Sequence, residues 1–203
     1  MKLAICGPDE LIRELTSLPD IEWVGAPDAN GLAAIQDADG YFFLHEDASS
    51  LKSIDWKSPV FFHSVNHTLK EWSPGEMAYR INAWPGFLSR SSWEICGRQD
   101  ERVNHIFSAL NKEAVFVDDQ VGMVSARVIA MIVNEAYFAL EEDVSSPGEI
   151  DIALKLGTNY PMGPIEWGNK IGLRNIHSLL EKMATADLRY RPCEKLKTES
   201  RSS

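Results

Sequence analysis

Residues 122–173 read GMVSARVIAMIVNEAYFALEEDVSSPGEIDIALKLGTNYPMGPIEWGNKIGL, and this stretch decides the fold of the C-terminal part of the chain. From Met123 to Leu140, Val124, Val128, Met131, Ile132, Ala136 and Leu140 recur three or four apart and share one helix face. Ile129, Val133, Tyr137 and Phe138 carry apolar character round the other sides, which predicts burial in a core or a subunit interface. Glu141, Glu142 and Asp143 have the wrong charge for a helix C-terminus and predict a frayed or solvated last turn. Ser146, Pro147 and Glu149 then supply the N-cap, the first-position proline and the capping-box acid of a second helix. Ile150, Ala153 and Leu154 form its apolar face, and Gly157 is its expected stop. Two prolines around a glycine, in Tyr160-Pro161-Met162-Gly163-Pro164, exclude regular helix and predict an elbow before residues 165–171.

Toward the N-terminus the pattern becomes that of strands alternating with short helices. Leu3 to Cys6, Ile21 to Gly25, Gly40 to Leu44, Pro59 to Phe62, Ala78 to Trp84, Ser92 to Cys96 and Ala114 to Val117 read as strands. Helical spacing occupies Pro8 to Leu18, through Leu11, Ile12, Leu15 and Leu18, then Asn30 to Gln36 and Asp100 to Leu110. This alternation predicts a parallel α/β sheet. The expected organisation is a shortened Rossmann-like α/β domain over residues 1–118, an all-α domain over 119–194 and a polar, mobile tail over 195–203.

Composition narrows the classes of partner. The 203 residues include 30 acids against 20 Lys and Arg, a formal charge of −10, and no basic stripe compensates, which argues against nucleic acid. No apolar run is long enough to span a bilayer and no signal-peptide layout opens the chain, so no membrane partner and a cytoplasmic location are expected. Cys6, Cys96 and Cys193 lack redox or zinc spacing and read as reduced, buried thiols. His63 and His67, with His45 in a separate loop, do not have ligand spacing on a helix, so no metal is expected.

Several short motifs then occur in order: Asn134-Glu135-Ala136; Ile150-Asp151 with Ala153 and Lys155-Leu156-Gly157; Tyr160 to Pro164 followed by Ile171-Gly172-Leu173; and Arg189-Tyr190-Arg191-Pro192. In these the chain resembles the C-terminal domain of the 3-hydroxyacyl-CoA dehydrogenases. The resemblance implies a helical domain of the 6-phosphogluconate dehydrogenase C-terminal-like type and a homodimer formed through its helices. It also implies NAD-dependent oxidoreductase chemistry in fatty acid metabolism and an acyl-CoA-like ligand near the elbow, which makes Tyr160 and Trp167 candidate substrate neighbours.

The family's reaction uses a His general base, a Glu that orients it, and Ser and Asn side chains that hold the substrate oxygen. Carried onto this chain, the Glu is Glu94, and by the family's spacing the His falls on Asn82, which has no group that titrates near neutral pH. The Ser falls on His67 or Thr68, and the Asn on Ala126. His67 is the candidate substitute base, or else a loop residue at the start of a short helix at Thr68. The dinucleotide turn keeps only Gly7: Pro8 lacks an N–H, and Asp9 and Glu10 place carboxylates where a pyrophosphate would lie. The expected function is therefore a catalytically impaired or inactive homologue that keeps dimerisation and takes an acyl-CoA-like ligand. The alternatives are an active NAD-dependent oxidoreductase with His67 as base and Glu94 as orienter, or an interaction module alone.

Overall fold

The structure, a computed structural model, describes residues 1–16, 21–72 and 75–201. It divides into two compact units, Met1–Met123 and Val124–Ser203, where the sequence reading puts the boundary at 118/119.

The first unit is a seven-stranded sheet of β1 (Lys2–Cys6), β2 (Glu22–Gly25), β3 (Gly40–Phe43), β4 (Val60–His63), β5 (Ala78–Ile81), β6 (Ser92–Cys96) and β7 (Glu113–Phe116), in the order β2-β1-β3-β4-β5-β6-β7. The first five strands are parallel, as the alternation of elements predicts. β6 pairs antiparallel with β5, and β7 follows β6 in parallel, so the last two strands reverse the sheet. No helix separates β5 from β6. The link is the tight turn Trp84 to Ser89, whose Gly86 and Ser89 N–H groups donate to the Glu14 carboxylate at 3.0 and 2.8 Å. A link this short returns the chain beside the strand it left, which is an antiparallel solution.

β3, β4 and β5 are buried along their whole length, the pattern of strands covered on both faces. Leu3, Ile5, Phe42, Phe61, Tyr79 and Trp93 face one side, with Leu11 and Leu15 of α1 (Asp9–Leu15) and Phe107. Ala4, Cys6, Tyr41, Phe43, Val60 and Phe62 face the other, with Leu32 of α2 (Ala29–Ala34). A four-residue α3 (Leu69–Trp72) and α4 (Glu101–Ala109) complete the unit. The sequence reading runs the first helix to Leu18, which lies outside the described residues.

The second unit holds α5 (Ser125–Glu141), α6 (Pro147–Thr158), α7 (Pro164–Ile171), α8 (Leu173–Ala184) and α9 (Glu194–Glu199). The Ser146–Glu149 capping box forms as read. α6 runs one residue past Gly157 and stops at Asn159, whose φ of 56° takes the left-handed cap.

The packed face of α5 is located here, and one expectation is corrected. α5 buries Ala126, Ala130, Val133, Asn134, Ala136 and Tyr137, while Val124 and Val128 remain 53% and 49% exposed. Small residues let the neighbouring helices approach α5 closely, so the stripe of larger aliphatics points away from this unit's core. The expected mobile tail at 195–203 is instead helical over Glu194–Glu199, because Leu196 is fully buried and Cys193 Sγ accepts from Leu196 N–H. Residues 202–203 are outside the described set.

Candidate functional site

In an open α/β sheet, ligands lie at the C-terminal ends of the parallel strands, above all where the strand order reverses. That point falls between β1 and β3. Gly7 follows β1, but a Cβ built on it would stand 2.6 Å from Leu44 Cβ, so Leu44, just after β3, fills the space over the turn. Gly7 is thus explained by close packing. The next residue, Pro8, caps α1 without a side-chain bond, and the first turn displays exposed Asp9 and Glu10. Asp28, at the distance of about 20 residues where a ribose-binding acid stands, accepts from Gly31 N–H at 2.8 Å as the N-cap of α2. This end of the sheet does not fit a dinucleotide bound in the usual mode.

The other carried-over positions lie around β4, β5 and β6. In the antiparallel register Arg80 stands opposite Cys96 and Ile81 opposite Ile95, so Asn82 follows and Glu94 precedes the last paired residues of their strands. The position of the family's base holds an amide. Asn82 is 8% exposed; its Oδ1 accepts from Trp84 N–H at 3.0 Å and its Nδ2 has no partner. Glu94 is half-buried on β6, and its charge acts on Arg90.

His67 stands in the loop after β4, with its side chain 45% exposed, edge-on to Trp72 at 4.9 Å and 3.9 Å from Glu71. Thr68 and Glu71 form the reciprocal cap of α3: Thr68 N–H donates to Glu71 Oε2 at 2.8 Å, and Glu71 N–H to Thr68 Oγ1 at 3.2 Å. Ser64 closes the same turn, accepting from His67 N–H and Trp72 Nε1 at 3.3 Å each. The segment is accounted for as a capped loop.

The imidazole that reaches the buried strand ends is His63, which closes β4 at 3% exposure. Its Nδ1 accepts from Ala83 N–H at 3.0 Å, and burial drives its pKa down to about 4, against a smaller opposing hydrogen bond at Ile81. It is a neutral ring with its lone pair engaged. The sequence reading considers His63 only as a metal ligand, and among the described residues no three His, Cys, Asp or Glu side chains group around a possible ion.

Sequence reasoning also missed Arg80, although a charged residue inside the central run Ala78-Tyr79-Arg80-Ile81 is its signal. Fully buried, Arg80 donates to Ser64 O at 3.3 Å, His67 O at 3.0 Å, Gln120 O at 2.7 Å and Cys96 Sγ at 3.2 Å, and pairs with Asp119 at 2.9 Å. Asp119 also accepts from Leu69 and Lys70 N–H at the start of α3. One guanidinium thus fixes both the His67 loop and residues 119–120. The three cysteines are free and buried.

In the helical unit the shared motifs turn out to hold one another. Asp151 accepts from Ile165 and Glu166 N–H at 2.7 and 3.2 Å, and a Cβ on Gly163 would lie 2.2 Å from its Oδ1, so only glycine fits there. Lys155 pairs with Glu166 at 2.6 Å. Asn134 donates to Arg191 O and accepts from Cys193 N–H, each at 3.0 Å. Arg127 donates to Tyr190 Oη at 3.1 Å. Ala126, at the substrate-holding Asn position, is fully buried and has no polar side-chain atom to offer. Trp167 is buried in α7 and Tyr160 is 39% exposed in the elbow. A groove of about 350 Å³ beside α9 is lined by Glu181, Glu194, Arg191 and Lys197, whose charges balance and leave no cationic seat for phosphate. No helix among the described residues is long and apolar enough to cross a membrane.

Comparison with known proteins bears on the helical unit by sequence and on both units by fold. The family profile of the 3-hydroxyacyl-CoA dehydrogenase C-terminal domain matches residues 122–201. The chain is 43% identical over 88 residues to 3-hydroxyadipyl-CoA dehydrogenase of Escherichia coli, spanning 42% of this chain and 18% of that protein. It is 41% identical over 90 residues to a probable 3-hydroxybutyryl-CoA dehydrogenase of Bacillus subtilis, spanning 43% and 31%. The matched segment therefore covers less than a third of either relative. In structure, (S)-3-hydroxybutyryl-CoA dehydrogenase of Ralstonia eutropha matches 99% of this chain and 93% of its own, with a TM-score of 0.78 at 19% identity. FadB2 of M. tuberculosis matches 98% and 93%, with a TM-score of 0.80 at 14% identity. By sequence the helical unit matches the 3-hydroxyacyl-CoA dehydrogenase C-terminal domain, and by fold both units are similar to the solved structures.

Proposed function

We propose that this homologue has given up hydride transfer and acts as a dimeric binder of an acyl-CoA-like ligand. The observation that carries the reading is Asn82 at the family's base position: the amide cannot take up a proton at neutral pH, so this position offers no general base. Neither histidine restores the base. His63 is neutral with its acceptor nitrogen engaged, and His67 is a half-exposed loop residue beside a helix cap. Leu44 packed on Gly7, with Asp9 and Glu10 beyond, speaks against NAD in the usual mode.

Pairing through the helical unit is supported by aliphatic pairs one turn apart that α5 and α6 leave uncovered: Val124 with Val128, and Ile152 with Leu156, the last 82% exposed. Trp167 and Tyr160 are the ligand neighbours in this reading. The test is NADH formation from 3-hydroxybutyryl-CoA and NAD, followed at 340 nm. No turnover above background is expected, whereas turnover that Glu94→Gln abolishes would refute the proposal.

A further inference from the structure

The sheet of the first unit ends at β2, which has β1 on one side and, among the described residues, no strand on the other. Glu22 N–H donates to Met1 O at 3.0 Å and Ala26 N–H to Ile5 O at 2.8 Å. By the alternation of a strand, Trp23 and Gly25 therefore turn their N–H and C=O groups to the open side, and no bond among the described residues reaches those two N–H groups. Sheets commonly guard such an edge with Lys, Pro or a bulge, and β2, reading Glu22-Trp23-Val24-Gly25, carries none of these.

Gly25 is a second, independent observation. A glycine inside a strand weakens it, and it marks a bulge, a bend or the close approach of another backbone. A Cβ built at Gly25 meets nothing within 4 Å and its φ is not positive, so nothing in the described chain asks for a glycine there. Trp23 lies on the same face, half-buried, with its ring centroid 5.7 Å from that of Phe42.

We infer that β2 pairs antiparallel with β2 of a second copy about a two-fold axis at Val24, extending the sheet across two molecules. In this register Val24 faces its own copy as a non-hydrogen-bonded pair, and each Trp23 stands opposite a Gly25, so the outward groups of each strand bond those of the other. The indole then covers the edge glycine of the other copy, an aromatic-on-glycine pairing that stabilises sheet edges. Glu22 falls opposite Ala26, so the acids of the two strands do not meet. An axis one residue away sets Trp23 against Trp23 or Gly25 against Gly25 and loses that match. The contact is far smaller than a stable interface, so the pairing is transient and leaves the size seen in dilute solution to the helical unit.

Val24→Cys is incubated with oxidised glutathione and resolved on a non-reducing gel. Facing residues of a non-hydrogen-bonded pair have Cα atoms about 4.5 Å apart, within disulfide reach, so the full chain is expected to cross-link as a dimer. Glu22→Cys, at a more exposed position but about 14 Å from its copy in this register, should cross-link about tenfold less. The three native thiols are buried, and the unaltered chain sets the background. Adding Gly25→Pro to the Val24→Cys chain removes an N–H that the ladder to β1 does not use, so it should keep the fold and cut the cross-link about tenfold. Equal yields from Val24→Cys and Glu22→Cys, a yield no higher than that of the unaltered chain, or a Val24→Cys yield that Gly25→Pro leaves unchanged would overturn the inference.

Discussion

Asp119→Ala removes the carboxylate that pairs with the fully buried guanidinium of Arg80, at 2.9 Å. Breaking a buried ion pair from one side costs about 3–5 kcal/mol, because the remaining charge stays desolvated. The Asp119 side chain is 28% exposed, which places the loss at the lower end, about 3 kcal/mol. Its two bonds to Leu69 and Lys70 N–H act as a cap of α3 and add about 0.5–1 kcal/mol. With a urea dependence of about 2 kcal/mol per molar, the unfolding midpoint should fall by about 1.5–2 M. Tryptophan fluorescence reports the right unit, since Trp23, Trp56, Trp72, Trp84 and Trp93 lie in the α/β unit and only Trp167 in the helices. Asp119→Asn separates charge from capping: it keeps an oxygen for the helix and discards the counter-charge, so it should retain most of the loss. A wild-type midpoint for Asp119→Asn would refute the claim that Arg80 needs a charged partner.

Three further outcomes are expected. Gly163→Ala drives a methyl into Asp151 Oδ1 and should cost about 2–3 kcal/mol, but far less in an Asp151→Ala background, as a double-mutant cycle would read. The neutral His63 makes stability depend on pH. Its folded pKa of about 4 lies below the unfolded value near 6.5, so the contribution is complete above pH 6.5 and is lost as pH falls toward 4, by about 3 kcal/mol in all. His63→Gln should flatten that part of a urea-midpoint profile, and an unchanged slope would contradict it. Val128→Asp combined with Leu156→Lys should convert a dimer to a monomer by light scattering with little loss of helicity, because both side chains are about half exposed or more.

Much of the fold is legible in the sequence because its signals are local. Strand runs such as Gly40 to Leu44 and the Ser146-Pro147-Glu149 cap are short-range patterns, and each recurs in the structure within a residue or two. The direction of β6 was not legible, since it depends on Glu14 holding a turn more than 70 residues away. Periodicity identified α5 as apolar nearly all round without singling out the face packed within its unit, where close helix packing selected Ala126 and Ala130. At the candidate site, the family's spacing assigns the base position to Asn82 and the orienter position to Glu94. It did not reveal His63 or Arg80, whose roles come from desolvation and from partners on other strands.

Two helix starts of the second unit, those of α7 and α9, are held from a distance. Asp151 of α6 secures the start of α7, Asn134 of α5 takes the N–H of Cys193 before α9, and Glu141 of α5 takes that of Lys195. A six-residue helix such as α9 has no independent stability in water. Neither α5 nor α6 can therefore melt without releasing the start of another helix, which ties α5, α6, α7 and α9 into one foldon rather than a core with fraying attachments. Amide protons of α9 should exchange with the same opening free energy as those in the middle of α5, despite their place at the end of the chain.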